Sequence, residues 1–323
     1  MVYQNYQNVK RAYGEAFGKK YNLPAADLRP FRGMCGLLFV LLVSCATSPS
    51  APKPETFYSG RSGFALMPEG AELYMTAEVQ KVRPILDSLS LGGMTGSELE
   101  RFLDMSDTLT AAVFKSVEVW HFYGAASGKF PNATGGLFFS ASKDWEKKVS
   151  ASGIPYWYSD NSKLAVSLGD KNAYFSDTDP FVPPPGTTVP EALPAMRTGS
   201  VLSGWMNNPG EALGKVVAGF GVPISIPAER LVFAVFPADG QGQYTATLRF
   251  ETPTSTQAAA LARIFTLAKL GMAMANFDDA NMKILAEAFF SQTPQAEGSA
   301  LIVRTGKMSG KDIALLFNSI SVQ

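Results

Sequence analysis

The chain has 323 residues, 46% of them hydrophobic and 17% charged, with 28 Lys/Arg against 28 Asp/Glu. That length supports a real core, in two domains of ordinary size or one elaborate domain. Zero net charge removes the basic excess on which binding to a phosphate backbone depends, so no nucleic acid is expected as a partner. Two cysteines and one histidine leave little material for disulfides, zinc-thiolate sites or imidazole catalysis.

Residues 1–30 are polar and tyrosine-rich, far longer than the basic start of an ordinary export signal. Translation is therefore expected to begin near Leu28, leaving Leu28-Arg29-Pro30-Phe31-Arg32 as a compact positive flank. An apolar run from Gly36 to Val43 follows. It is too short to span a bilayer, which needs ~20 residues. The run ends in Leu42-Val43-Ser44-Cys45, which resembles a bacterial lipobox. A buried strand or core helix that happens to end in cysteine is the competing reading.

The lipobox resemblance implies cleavage after Ser44, a thioether-linked lipid on Cys45 and acylation of the new amino terminus with palmitate-type chains. Residues 1–44 then form a signal peptide with an over-extended start, and residues 45–62 a lipidated flexible tether, rich in Pro, Ser and Ala over 46–55. The removed segment holds six basic residues (Lys10, Arg11, Lys19, Lys20, Arg29, Arg32) against Glu15 and Asp27, so 22 basic and 26 acidic residues remain. With Cys35 removed and Cys45 lipidated, no thiol is left in the body.

The body reads as two similar halves, a first α+β unit at 63–179 and a second at 199–323, joined by a Pro-rich linker at 180–198. In the first, 72–79 alternates as a half-buried strand and 81–91 carries Val82, Ile85, Leu86 and Leu89 at helical spacing. Residues 108–114, 117–123 and 135–140 are β-branched or aromatic and read as strands. Residues 144–150 read as a short helix, and 156–158, 164–168 and 173–175 as small antiparallel strands with turns at Asp160-Asn161 and Gly169-Asp170. Four prolines and a glycine in 179–186 exclude both helix and central strand.

The second half begins with a strand at 200–206 and a helix at 210–220, in which Glu211 and Lys215 form a favourable pair. Residues 231–236 and 244–250, separated by 237–242, carry a hairpin signal. Thr254 or Ser255 caps a long helix to Met274, a second helix covers 281–290, 300–304 is a strand and 309–320 an amphipathic helix. Strand, helix, strand, strand, helix, strand is the order of a split βαβ, or ferredoxin-like, unit. The expected fold class is α+β, as two such units: antiparallel sheets packed by amphipathic helices.

Catalytic chemistry finds no seat in this pattern. His121 falls in the predicted strand 117–123, where Glu118, three residues away, faces the opposite side. No His-x-x-x-His pair exists, and Asp278-Asp279 with Asn276 and Asn281 lacks the calcium-loop pattern, so these residues read as a solvated turn. Gly92-Gly93 and Gly219-Phe220-Gly221 lack the spacing of phosphate loops, and Met272, Met274 and Met282 read as core filler. The expectation is of no enzyme, no cofactor and no metal.

Residues 258–274 carry only Arg263 and Lys269 as charges. At ~100° per residue, Leu261, Ile264, Phe265 and Met272 fall on one side of this helix and Leu267, Leu270 and Met274 on the other. Either the sheet and the neighbouring helix (Met282, Leu285, Phe289) cover both sides, or one side meets lipid. Leu267, Leu270, Met274, Phe265 and Phe289 are accordingly the candidate contacts to lipid or an apolar ligand.

With the lipobox and tether, these helices around small sheets resemble the treponemal outer-membrane lipoproteins that insert amphipathic helices into the inner leaflet. The resemblance implies a non-enzymatic envelope protein, held by acylated Cys45 in the outer membrane and facing the periplasm, that binds membrane or lipid and alters permeability. The alternative is a periplasmic interaction module whose two ferredoxin-like units present sheet faces to an envelope protein partner.

Overall fold

The computed structural model describes residues 63–88, 103–115, 120–130, 143–151, 153–161, 163–169, 171–179, 187–210, 227–239, 242–274 and 280–321. The expected signal, Cys45 and the tether, the strand at 135–140 and the body of the helix at 210–220 lie outside them.

After a 3-10 turn at Gly63–Leu66, the first half contains β1 (Leu73–Glu78), α1 (Val79–Leu86), β2 (Ser106–Lys115), β3 (Trp120–Gly128), β4 (Glu146–Val149), β5 (Pro155–Ser159), β6 (Leu164–Gly169) and β7 (Asn172–Ser176). The second contains α2 (Ala192–Arg197), β8 (Leu202–Asn207), β9 (Arg230–Ala238), β10 (Gln243–Glu251), α3 (Ser255–Met274), α4 (Ala280–Phe289), β11 (Gln295–Glu297), β12 (Ala300–Arg304), β13 (Met308–Ser309) and α5 (Gly310–Ser321).

All these strands belong to one antiparallel sheet, in the order β11-β12-β10-β9-β8-β1-β2-β3-β7-β6-β5-β4, with β13 also on β10. The α+β class is therefore observed, but the ferredoxin-like arrangement is not. A split βαβ unit interleaves its strands, whereas here β8, β9 and β10 lie side by side in chain order and β1, β2 and β3 do the same. The halves also share the sheet directly, since β1 pairs with β8 from Leu73↔Met206 to Ala77↔Leu202.

A second correction concerns residues 144–150, expected as a short helix: Glu146–Val149 form strand β4 instead. Local preference loses there to pairing across a tight turn: Ser150 Oγ accepts the Ile154 N–H at 3.0 Å, placing Lys147 opposite Trp157 and Lys148 opposite Tyr156. Lys147 then lies 5.8 Å from the Trp157 ring centroid and Lys148 4.4 Å from that of Tyr158.

The strand alternation gives the sheet two apolar faces. On one, the register aligns Val232, Trp205, Tyr74, Ala112 and Tyr123 across five strands, beneath Phe64, Met67 and Leu193. Tyr74 stacks on Trp205 at 4.4 Å and donates its hydroxyl to Pro68 O at 2.8 Å. Leu193, inside the expected linker, is buried on α2 against this core.

The other face carries the long helices. Val79, Val82 and Ile85 of α1 bury on it, and Leu231, Phe250, Leu301 and Val303 receive α3. Helix α5 closes on α1 so tightly that a Cβ at Gly310 would stand 2.6 Å from Pro84 O. No larger residue fits there without displacing backbone.

Candidate membrane-facing surface

Helix α3 begins where Thr254 Oγ1 accepts the Gln257 N–H at 3.2 Å, an N-cap followed by an alanine-rich turn of high helix propensity. One side is anchored in the sheet. Ala258, Leu261, Phe265 and Ala268 are buried there, and Phe265, 4% exposed, lies 5.5 Å from Phe250, 6.2 Å from Phe289 and 6.1 Å from Phe290. Helical spacing turns the opposite side to solvent. Leu267 is 66% exposed and Leu270 61%, in line with exposed Ala260 and Arg263.

Of the sequence candidates, Leu267 and Leu270 thus share an exposed stripe, while Phe265 belongs to the core and Phe289 packs partly buried against it. Met274 ends α3, and Cys45 falls outside the described residues. Ile284 on α4, 48% exposed, escaped the sequence reading. Its signal was nonetheless present: the i,i+4 pair Lys283 and Glu287, 3.9 Å apart in the structure, marks the solvated side of α4 on which Ile284 lies.

Charges around the stripe are sparse. Helix α3 contains no acidic residue, and Lys269 reaches sideways to donate to Ser291 O at 3.3 Å, just past the end of α4. Among the described residues, no helix is long and apolar enough to cross a membrane, and no three His, Cys, Asp or Glu side chains gather as a metal site requires. The sheet side of α3 is held by the aromatic packing of Phe265 against Phe250, Phe289 and Phe290.

His121 has a structural setting. Its Nδ1 lies 3.2 Å from Asp177 Oδ2, while the Phe122 N–H donates to Asp177 Oδ1 at 3.0 Å. Burial pushes the Asp177 carboxyl above its ordinary range, partly offset by that amide and the imidazole. Burial also acts to raise Asp179, but Lys148 at 2.8 Å and the Tyr156 hydroxyl at 2.6 Å outweigh it and hold this carboxyl below its usual range. Together the two aspartates fasten the chain leaving β7 to β3, β4 and β5.

Residues 61–176 match the model of a family described as the outer membrane-associated lipoprotein TP0453. Solved structures of TP0453 share the fold. Crystal form I is 16% identical with a TM-score of 0.55, over 81% of this chain and 98% of that one. Form III is 16% identical with a TM-score of 0.56, and form IV 15% identical with 0.57, each over 81% of this chain and 99% of the other. No curated protein matches the sequence. The chain resembles the treponemal-type outer-membrane lipoproteins, in the family model and in fold. The outer-membrane association in the family's description agrees with the envelope address read from the lipobox.

Proposed function

We propose that this chain is a non-enzymatic lipoprotein of the outer membrane, anchored through acylated Cys45 and touching the membrane a second time through the α3 stripe. One observation carries this reading: Leu267 and Leu270, one turn apart, are more than 60% exposed on a helix that has no acidic residue and whose reverse side is packed. A large aliphatic side chain moved from water into hydrocarbon gains about 1.5–3 kcal/mol. Two leucines and Ile284 therefore support weak, reversible association at most. Acyl chains, at about 0.8 kcal/mol per buried methylene, provide the attachment.

In this division of labour the stripe sets the orientation of a body already held at the surface, where its effective concentration is high. Shallow insertion of α3 beside α4 would disturb lipid packing in that leaflet, which is how the protein would alter permeability. The competing interaction-module reading drew on two ferredoxin-like units, and the strand order removes that architecture. Flotation tests the proposal: residues 46–323 made without acyl groups should rise with zwitterionic vesicles at millimolar lipid. Protein that stays at the bottom of the gradient at every lipid concentration contradicts it.

A further inference from the structure

The chain enters the described body beside an apolar groove. Gly63 opens the 3-10 turn at φ +56°, a conformation that glycine adopts without the steric penalty of a side chain. Phe64 follows, packs edge-on against Trp205 at 4.7 Å, and lines a groove of about 570 Å³ with Val189, Leu193, Pro194, Arg197 and Thr198. Most of this lining is apolar. Val189 is left 38% exposed, and Arg197, exposed in the last turn of α2, gives the groove its single charge.

One part of the tether has the chemistry to fill that groove. Between Cys45 and Gly63, Phe57 and Tyr58 are the only aromatic or large aliphatic side chains, and Glu55 is the only acid. The run Glu55-Thr56-Phe57-Tyr58 sets one negative charge beside apolar surface, as Arg197 sets one positive charge beside Leu193 and Pro194. Gly60 and Gly63 in the short connection to Phe64 allow the chain to fold back. A segment joined to its site by so few residues meets it at an effective concentration on the order of millimolar. A contact too weak to hold a free peptide is then sufficient.

We propose that residues 55–58 of the tether dock into this groove, Phe57 and Tyr58 against Val189, Leu193 and Pro194, and the Glu55 carboxylate on Arg197. Docking shortens the strap that joins Cys45 to the body. At about 3.3–3.6 Å per extended residue, its free span falls from about 60 Å to about 30 Å. Phe64 and Leu193 lie on the α2 face of the sheet, and α3 covers the other face. The sheet and α3 therefore separate the groove from the Leu267 stripe, a thickness of about 20–25 Å. A docked strap holds the body by its α2 face and keeps the stripe from the leaflet, and release of the strap frees it. That consequence rests on the membrane role proposed for α3, whereas the docking itself does not.

Chymotrypsin, which cuts after aromatic residues, reads the docking in the absence of lipid. In residues 46–323 made without acyl groups, cleavage after Phe57 and Tyr58 should run about tenfold slower than in a synthetic peptide of residues 46–62, because cleavage follows the undocked fraction. Val189→Glu, at an exposed position, should raise the rate to that of the peptide at unchanged melting temperature. Glu55→Arg and Arg197→Glu should each speed cleavage, and the two together should restore protection. Cleavage of the unsubstituted chain at the peptide's rate overturns the proposal. So does protection that grows with protein concentration, the mark of a groove on a second copy, and so does protection that survives Val189→Glu or that the paired charge exchange fails to restore. Vesicle flotation reports on α3 and these rates on the tether, so the two readings fail separately.

Discussion

Tyr244 donates its hydroxyl to Lys81 O at 2.9 Å, tying β10 to α1 across 163 residues of sequence. The ring is buried, so the bond sits where water competes poorly, and burial pushes its phenol above the ordinary tyrosine range. With the β1–β8 ladder, this contact makes the two halves one body. Tyr244→Phe keeps the ring and removes the bond. It should cost about 0.5–1.5 kcal/mol in urea denaturation, in a single transition for both halves. Two separate transitions would mean that the halves unfold independently.

Asp177 supplies a pH dependence with a definite sign. Its folded carboxyl holds its proton more readily than an ordinary aspartate at 3.8. The stability linked to that proton is fully present below the unfolded value and is lost as pH rises through the raised folded value. Asp177→Asn removes this titration and leaves an oxygen to accept the Phe122 N–H. The stability of the variant relative to wild type should therefore rise from about pH 4 upward. A difference that stays flat from pH 3 to 8 would show that the carboxylate is not penalised by burial.

Much of the fold was legible because its signals are local. The alternation in β1, β8, β9 and β10, the cap before α3 and the amphipathic spacing of α5 are all written within a few turns of chain. The neighbours of each strand are not. Nothing near Leu202 specifies pairing with Ala77, and the interleaved order inferred from element sequence gave way to a meander because pairing is decided between distant segments. For the same reason β4 read as a helix: its Lys147 and Lys148 gain their strand partners only from Trp157 and Tyr156. On α3 the periodicity separated the two sides, but periodicity alone cannot say which is covered. The exposure of Leu267 and the burial of Phe265 follow from where the sheet lies.

Anchoring rests on Cys45. Stable attachment takes two lipid signals, and multiple acylation at a single cysteine would supply them. Cys45→Ser should move the protein from the membrane to the soluble fraction after detergent phase separation. Unchanged partitioning into the detergent phase would transfer the anchoring role to the protein body.

The most direct measurement concerns the stripe itself. Leu267→Gln with Leu270→Gln places two amides at positions 66% and 61% exposed, where water satisfies them. Buried unpaired amides would instead cost several kcal/mol out of a typical total of about 5–15 kcal/mol. The double variant of residues 46–323, made without acyl groups, should keep its melting temperature within about two degrees while losing most of its flotation with vesicles. A collapse in melting temperature, or flotation equal to that of the unsubstituted chain, would contradict the account.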